Sequence, residues 1–168
     1  MRTLAHGIAE GLQYLHSHKI VHRDIKPENI VLTEDAKLNT VPQIVDFGFA
    51  RKIEEDGSCR DVVGTIPYIA PEILKKTSYS YSCDVWSYGC LVYGLLSGDH
   101  PLLTQCPASF DDMREILLKR APRFDQPIWG KVTPECRDLL KKMLVKEPAH
   151  RLSIEEVLSH PWFADMEE

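Results

Sequence analysis

Eight consecutive residues, His22-Arg23-Asp24-Ile25-Lys26-Pro27-Glu28-Asn29, constrain this chain more than any other feature, and Asp46-Phe47-Gly48 follows seventeen residues after Asn29. Together they set a carboxylate, an ammonium group, a carboxamide and a second carboxylate along the chain. That order suits phosphoryl transfer to a hydroxyl, which needs a base, a cation and two oxygen ligands for a metal ion. Taken alone, Asp24 reads as a turn or helix-capping residue, Lys26 as a solvated lysine, and Asp46 as an Asx turn before Gly48. The two segments in register, with Ala70-Pro71-Glu72 closing the stretch that follows, leave no room for coincidence.

Composition is that of one globular unit. The chain has 168 residues, 43% of them hydrophobic and 27% charged, enough to bury a substantial core. A formal net charge of −5 argues against a nucleic-acid partner, which calls for a basic face. The five cysteines form no C-x-x-C pair and no zinc spacing, so reduced thiols in the cytoplasm or nucleus are expected. The opening residues lack the apolar core of a secretory signal. The longest apolar stretch, around Cys90 to Leu96, is too short to span a bilayer, and no membrane partner is expected.

The periodicity is mainly helical. Leu4, Ile8, Leu12 and Leu15 recur at helical spacing over residues 4–18. Ile30-Val31-Leu32 and Gln43-Ile44-Val45 flank a polar turn and predict a small β-hairpin. Residues 46–72 carry the strongest loop chemistry. Helical patterns return from Ser82 to Ser97-Gly98 and from Phe110 to Leu118. Thr133 as N-cap with Pro134 at the first helical position opens another helix to Leu144. A last short helix covers residues 153–159, with Ser153 and Glu156 at capping-box spacing.

On these motifs the chain resembles the C-terminal lobe of a eukaryotic protein kinase, and the likeness runs from about Leu4 to Phe163. It implies a mainly α fold with a small β-hairpin at the catalytic site, over one partial kinase domain spanning 1–168, with the N-terminal lobe absent. It implies a transferase of the serine/threonine type, using ATP and Mg²⁺ to phosphorylate protein hydroxyls once an N-terminal lobe, in cis or in trans, completes it. Asp24 matches the catalytic aspartate and Lys26 the residue that contacts the transferring phosphate. Asn29 and Asp46 match the metal ligands, and Glu28 and Val31 complete the nucleotide side, with Val31 under the adenine ring. Glu28 also matches a position that holds a basic substrate residue. His22 and Phe47 match a hydrophobic stack beneath the site, Asp84 an aspartate that binds the catalytic-loop backbone, and Arg151 the partner of Glu72. Phe49-Ala50-Arg51 and the Ser159-to-Phe163 ending are similar to the calcium/calmodulin-dependent group, with a texture like protein kinase D.

The pattern also departs from that family. No Gly-rich loop, strand lysine or helix glutamate occurs in these residues, so the resemblance admits a second reading, an inactive module that binds substrates or regulators. Gly64-Thr65-Ile66-Pro67-Tyr68 places proline one residue later than usual, which alters the floor of the pocket for the residue after the acceptor. Asp61 stands four residues before Thr65, where relatives carry a phosphosite, and is expected to pair with Arg23 in place of a phosphate; Ser58 is an alternative phosphoacceptor. Gly94 replaces an acidic residue of basophilic relatives.

Overall fold

The computed structural model describes residues 1–35, 39–53 and 57–164; the predicted domain's last four residues lie outside this range. Helix α1 (Arg2–Ser17) leads into strand β1 (Ile20–Val21), and β2 (Ile30–Glu34) pairs antiparallel with β3 (Thr40–Ile44). Strand β4 (Arg51–Lys52) returns to pair with β1. Then come α2 (Pro71–Leu74), α3 (Ser82–Ser97), α4 (Phe110–Lys119), α5 (Pro134–Met143) and α6 (Ile154–Leu158). The mainly α architecture with a small hairpin is the one the sequence predicts.

Helix α3 is the axis of the core. Every residue from Cys83 to Tyr93 is buried, which is why its apolar positions show no single face. It ends where Gly98 takes a left-handed φ of 75° and its N–H reaches the Gly94 carbonyl at 2.8 Å, a conformation that suits glycine. Helix α1 buries Ile8, Leu12 and Leu15 against β3 and α6, following the spacing read from sequence. Its glycines set the depth of the hairpin: a Cβ on Gly7 would stand 2.8 Å from Pro42.

Local signals place the helix starts. The Thr133 side chain accepts from the Cys136 N–H, and Ser153 and Glu156 form both halves of a capping box. Two predicted boundaries shift. The second hairpin strand ends at Ile44 instead of Val45, whose N–H donates to the Asn29 carbonyl at 2.9 Å. The 46–72 stretch contains β4 and the first two residues of α2, because two-residue strands and a Pro-started turn of helix lack any readable period.

Beneath α2 and α3 lies a charged pair. Arg151 donates to both oxygens of Glu72, at 2.6 and 3.0 Å, and its remaining hydrogen bonds go to the Val145, Ser82 and Lys146 carbonyls. Its guanidinium also sits 5.1 Å from the Trp86 ring centroid. Both residues are buried, so removing one leaves a buried charge without its counter-ion. Arg151→Ala or Glu72→Ala is expected to lower unfolding free energy by about 3–5 kcal/mol, read by urea denaturation. The joint replacement Glu72→Leu/Arg151→Met should lose less than either single change, and a single change within 1 kcal/mol of wild type, on the order of a surface pair, would contradict this.

Candidate active site

Four hydrogen bonds converge on the carboxylate of Asp24. Thr65 donates to Oδ1 from its backbone N–H at 2.9 Å and from its hydroxyl at 2.7 Å. Lys26 Nζ lies 2.8 Å from Oδ2, and Asn29 Nδ2 donates to the same oxygen at 3.1 Å. Lys26 also donates to the Thr65 hydroxyl at 2.7 Å. Asp24 is buried. Burial pushes its carboxyl up, but the hydrogen bonds and charge of Lys26 and the bonds from Thr65 outweigh this and hold it below the usual carboxylate range. The group is therefore ionised at neutral pH and aimed, with its proton-accepting oxygens already ordered.

The loop that carries Asp24 is fixed from below. Asp84, fully buried on α3, accepts from the His22 and Arg23 backbone N–H groups, both at 2.8 Å, and from His16 Nε2 at 2.9 Å. Arg23 adopts a φ of 71°, a left-handed conformation uncommon for a residue with a Cβ. His22 is buried: Nδ1 accepts from the Asp24 N–H at 3.3 Å while Nε2 donates to the Val45 carbonyl at 3.2 Å. Both ring nitrogens are occupied, which leaves none for proton transfer.

Asn29 and Asp46 stand at opposite ends of the hairpin base. Asn29 is buried and uses its Nδ2 on Asp24, so its Oδ1 has no protein partner among the described residues. Asp46, exposed at a φ of 60°, accepts from the Gly48 N–H at 3.1 Å through one oxygen. An amide oxygen and a carboxylate are hard donors of the kind Mg²⁺ takes, and that ion needs only one or two protein ligands when phosphates supply the rest. The donor set fits.

Two predicted packing positions are open to solvent. Phe47 meets the His22 ring edge-on at 5.2 Å but stays 49% exposed, because His22 is its one ring neighbour among the described residues. Val31, expected beneath a nucleotide base, lies 43% exposed on the hairpin, opposite Gln43. With the half-exposed Phe49, these are apolar side chains left open to solvent.

Asp61 accepts from Arg23 at 3.3 Å and from Arg51 at 2.9 Å. Tyr79 ties the same point down: its hydroxyl donates to the Asp61 carbonyl at 2.8 Å and accepts from Arg23 at 3.2 Å. Arg51 and Tyr79 had no sequence signal, since one reads as a surface cation and the other as core. Ser58 is exposed. Segment 64–68 is held further on by Ser87, which donates to the Tyr68 carbonyl at 2.7 Å, and by His100, whose Nε2 lies 2.6 Å from the Pro67 carbonyl. Neither was legible beforehand. Glu28 is exposed at the mouth of this segment.

A loop carboxylate is thus cradled by lysine, threonine and asparagine, and Asn29 and Asp46 offer oxygens of the kind a hard cation takes. The protein kinase domain profile matches residues 1–163, and the chain belongs to that family. It is 37% identical over 96% of its length to serine/threonine-protein kinase 17A of Oryctolagus cuniculus, covering 40% of that protein. CDPK-related kinase 5 of Arabidopsis thaliana is 36% identical over 98% of the chain, and MAP kinase-activated protein kinase 2 of Homo sapiens 36% over 92%. The chain spans 26% and 39% of those two relatives. All three are serine/threonine kinases of the calcium/calmodulin-dependent group.

Gly64 is what lets the two loops meet. It has a φ of 108°, and a Cβ there would stand 2.6 Å from the Arg23 carbonyl oxygen, so strain and collision coincide. Gly64→Ala is expected to destabilise the fold by about 1–3 kcal/mol and to draw Thr65 off Asp24. Thermal unfolding together with the Thr65 amide chemical shift reads both effects; an unchanged melting point and shift would contradict the packing described.

Proposed function

We propose that these residues form the catalytic and substrate-binding part of a serine/threonine protein kinase, transferring the γ-phosphoryl group of ATP to a serine or threonine hydroxyl of a protein. The observation that carries this reading is the convergence of Lys26, Thr65 and Asn29 on one ionised, buried carboxylate. In the reaction the hydroxyl oxygen forms a bond to the γ-phosphorus, the β–γ bridging bond breaks, and ADP leaves with its electron pair. Asp24 orients the hydroxyl and takes its proton as the new bond forms. All four of its hydrogen-bond contacts are filled, so the arriving hydroxyl displaces one. Lys26 has a second destination, the phosphate being transferred, and is the contact that moves. Asn29 Oδ1 and the Asp46 carboxylate would hold Mg²⁺, whose charge offsets that of the phosphates. Val31 and the adjacent apolar face would meet the base.

Asp61 acts as a permanent, partial stand-in for an activating phosphate, tying Arg23 and Arg51 to the loop before Thr65. One exposed carboxylate contributes little on its own. The uncovered face of Val31, Val41, Phe47 and Phe49 favours a second element: the chain works against a covering lobe that clamps ATP, in cis or from another chain. That same face supports the alternative reading, a module that docks substrates or regulators without transfer. The five free thiols, four of them buried, support a cytoplasmic or nuclear setting. The net charge of −5 gives no support for a nucleic-acid partner. Among the described residues, no helix is long and apolar enough to cross a membrane.

The test is transfer of labelled phosphate from ATP to serine and threonine peptides by the gene product containing these residues. Asp24→Ala is expected to reduce kcat by about 10²–10⁴-fold, whereas Asp61→Ala should reduce kcat/KM only about two- to fivefold. No transfer by a folded wild-type protein, with peptide binding retained, would favour the docking module. Full activity in Asp24→Ala would overturn the assignment.

A further inference from the structure

The turn that follows α3 is fixed to the core and serves as a platform for segment 64–68. Leu102 has no exposed surface, and the Pro101 carbonyl accepts from the Arg123 N–H at 3.0 Å. From this turn the half-buried His100 reaches across, and its Nε2 lies 2.6 Å from the Pro67 carbonyl oxygen. A carbonyl only accepts, so Nε2 carries the proton. Nδ1 accepts from the Leu102 and Leu103 N–H groups, both at 3.1 Å. The ring is thereby held in one neutral tautomer with both nitrogens in use. Tyr68 meets it edge-on at 6.3 Å, within the range of an aromatic contact.

Pro67 is where this contact bears on the active site. Its ring removes the backbone N–H, which leaves the carbonyl as its one polar backbone group. The chain closes a turn around it, with the Tyr68 N–H donating to the Thr65 carbonyl at 2.9 Å. Thr65, at the head of that turn, donates twice to Asp24 Oδ1. His100 is therefore joined to the carboxylate through one short turn of backbone. Ser87 holds the same turn one residue further on, at the Tyr68 carbonyl. Of these two supports only His100 changes charge near neutral pH.

We propose that His100 is a positioning residue for the reaction at Asp24: as the neutral Nε2–H tautomer it holds the Pro67 carbonyl and so aims the Thr65 donors at Oδ1, and on protonation it releases them. The inference rests on the kinase reading for its effect on transfer, and on the hydrogen bonds alone for the coupling of His100 to Thr65. A proton on Nδ1 would set a third donor against the Leu102 and Leu103 N–H groups with no acceptor between them. The ring must then leave or the turn must open. Burial also works against that charge and outweighs the bond to Pro67, which favours it, so the His100 pKa lies below its usual 6.5. Folding thus favours the neutral ring. Its contribution is complete above pH 6.5 and is lost as pH falls through the lowered value. The titratable groups that share a cavity wall with the ring are Tyr68, Cys90 and Asp99. Tyr68 on segment 64–68 and Cys90 on α3 are pushed up, by burial first, and stay neutral across this range. Asp99, the neighbour on its own turn, is exposed.

Nitrogen-15 NMR of the full 168-residue chain, titrated from about pH 8 to about pH 5 across the histidine range, reads the ring and the loop together. His100 is expected to show the Nε2–H tautomer at the start. As the ring takes up its proton, the Thr65 amide signal should shift in step. Its hydrogen exchange, corrected for pH, should quicken by roughly three- to tenfold, the equivalent of one hydrogen bond, while the α5 amides keep theirs. Two substitutions separate the ring's two roles. His100→Gln sets an amide nitrogen where Nε2 stood and cannot titrate; His100→Asn sets an amide oxygen where Nδ1 stood and falls short of Pro67. His100→Gln is expected to hold the Thr65 signal near its neutral-pH position and to abolish the inflection. His100→Asn should show the acid-like Thr65 signal at every pH. In phosphate transfer by the gene product containing these residues, kcat of His100→Asn should fall below that of His100→Gln by the same factor, with KM little changed. A Thr65 response without transfer by the wild type upholds the coupling and counts against the kinase reading alone. A Thr65 signal that ignores the His100 titration, or an Nδ1–H tautomer at neutral pH, overturns the proposal even where phosphate is transferred. So does one and the same Thr65 behaviour in wild type and both variants, and the wild-type titration decides by itself where a variant does not fold.

Discussion

One buried carboxylate organises the site. Asp84 has no exposed surface, yet both its oxygens are satisfied, by the backbone N–H groups of His22 and Arg23 and by the ring of His16. A charged group this deep persists only with such complete pairing. Its position on α3, the most buried helix, transmits the rigidity of the core to the loop two residues before Asp24. The left-handed backbone at Arg23 is then a consequence: the anchored peptide groups over-determine a conformation that the free chain would rarely visit.

From that anchor the second loop follows. Segment 64–68 touches the catalytic loop at Gly64, Thr65 and Lys26, and is held on its far side by Ser87 and His100. Asp61, Arg51 and Tyr79 fasten its beginning to Arg23. The Asp24 carboxylate and segment 64–68 are therefore parts of one connected framework. The hairpin side differs in kind. Val31, Phe47 and Phe49 remain exposed, so the framework is packed around Asp24 and open on the hairpin side.

Much of this was legible in the residues themselves. Helical periodicity and caps place α1, α3, α5 and α6 because each signal is local, with Thr133 and Ser153 working through neighbours three residues away. The motif spacing brought Asp24, Lys26 and Asn29 together, and the family resemblance paired Glu72 with Arg151. What stayed hidden depends on distant contacts. The β1–β4 ladder has two residues per strand, too few to show a period. Tyr79 matters through its hydroxyl, which no pattern distinguishes from a core ring, and His100 through a tautomer set by backbone groups it meets only in the fold. Phe47 was expected to be covered because its position in the motif says what it packs against, not how much of it that neighbour hides.

Amide hydrogen exchange in Asp84→Asn tests the central claim most directly, since the substitution keeps shape and removes the charge that holds two backbone donors. Protection at His22 and Arg23 is expected to fall sharply while α3 and α5 keep theirs. Unchanged protection at those two amides would show that the loop holds itself, and that Asp84 is a passenger in its own core.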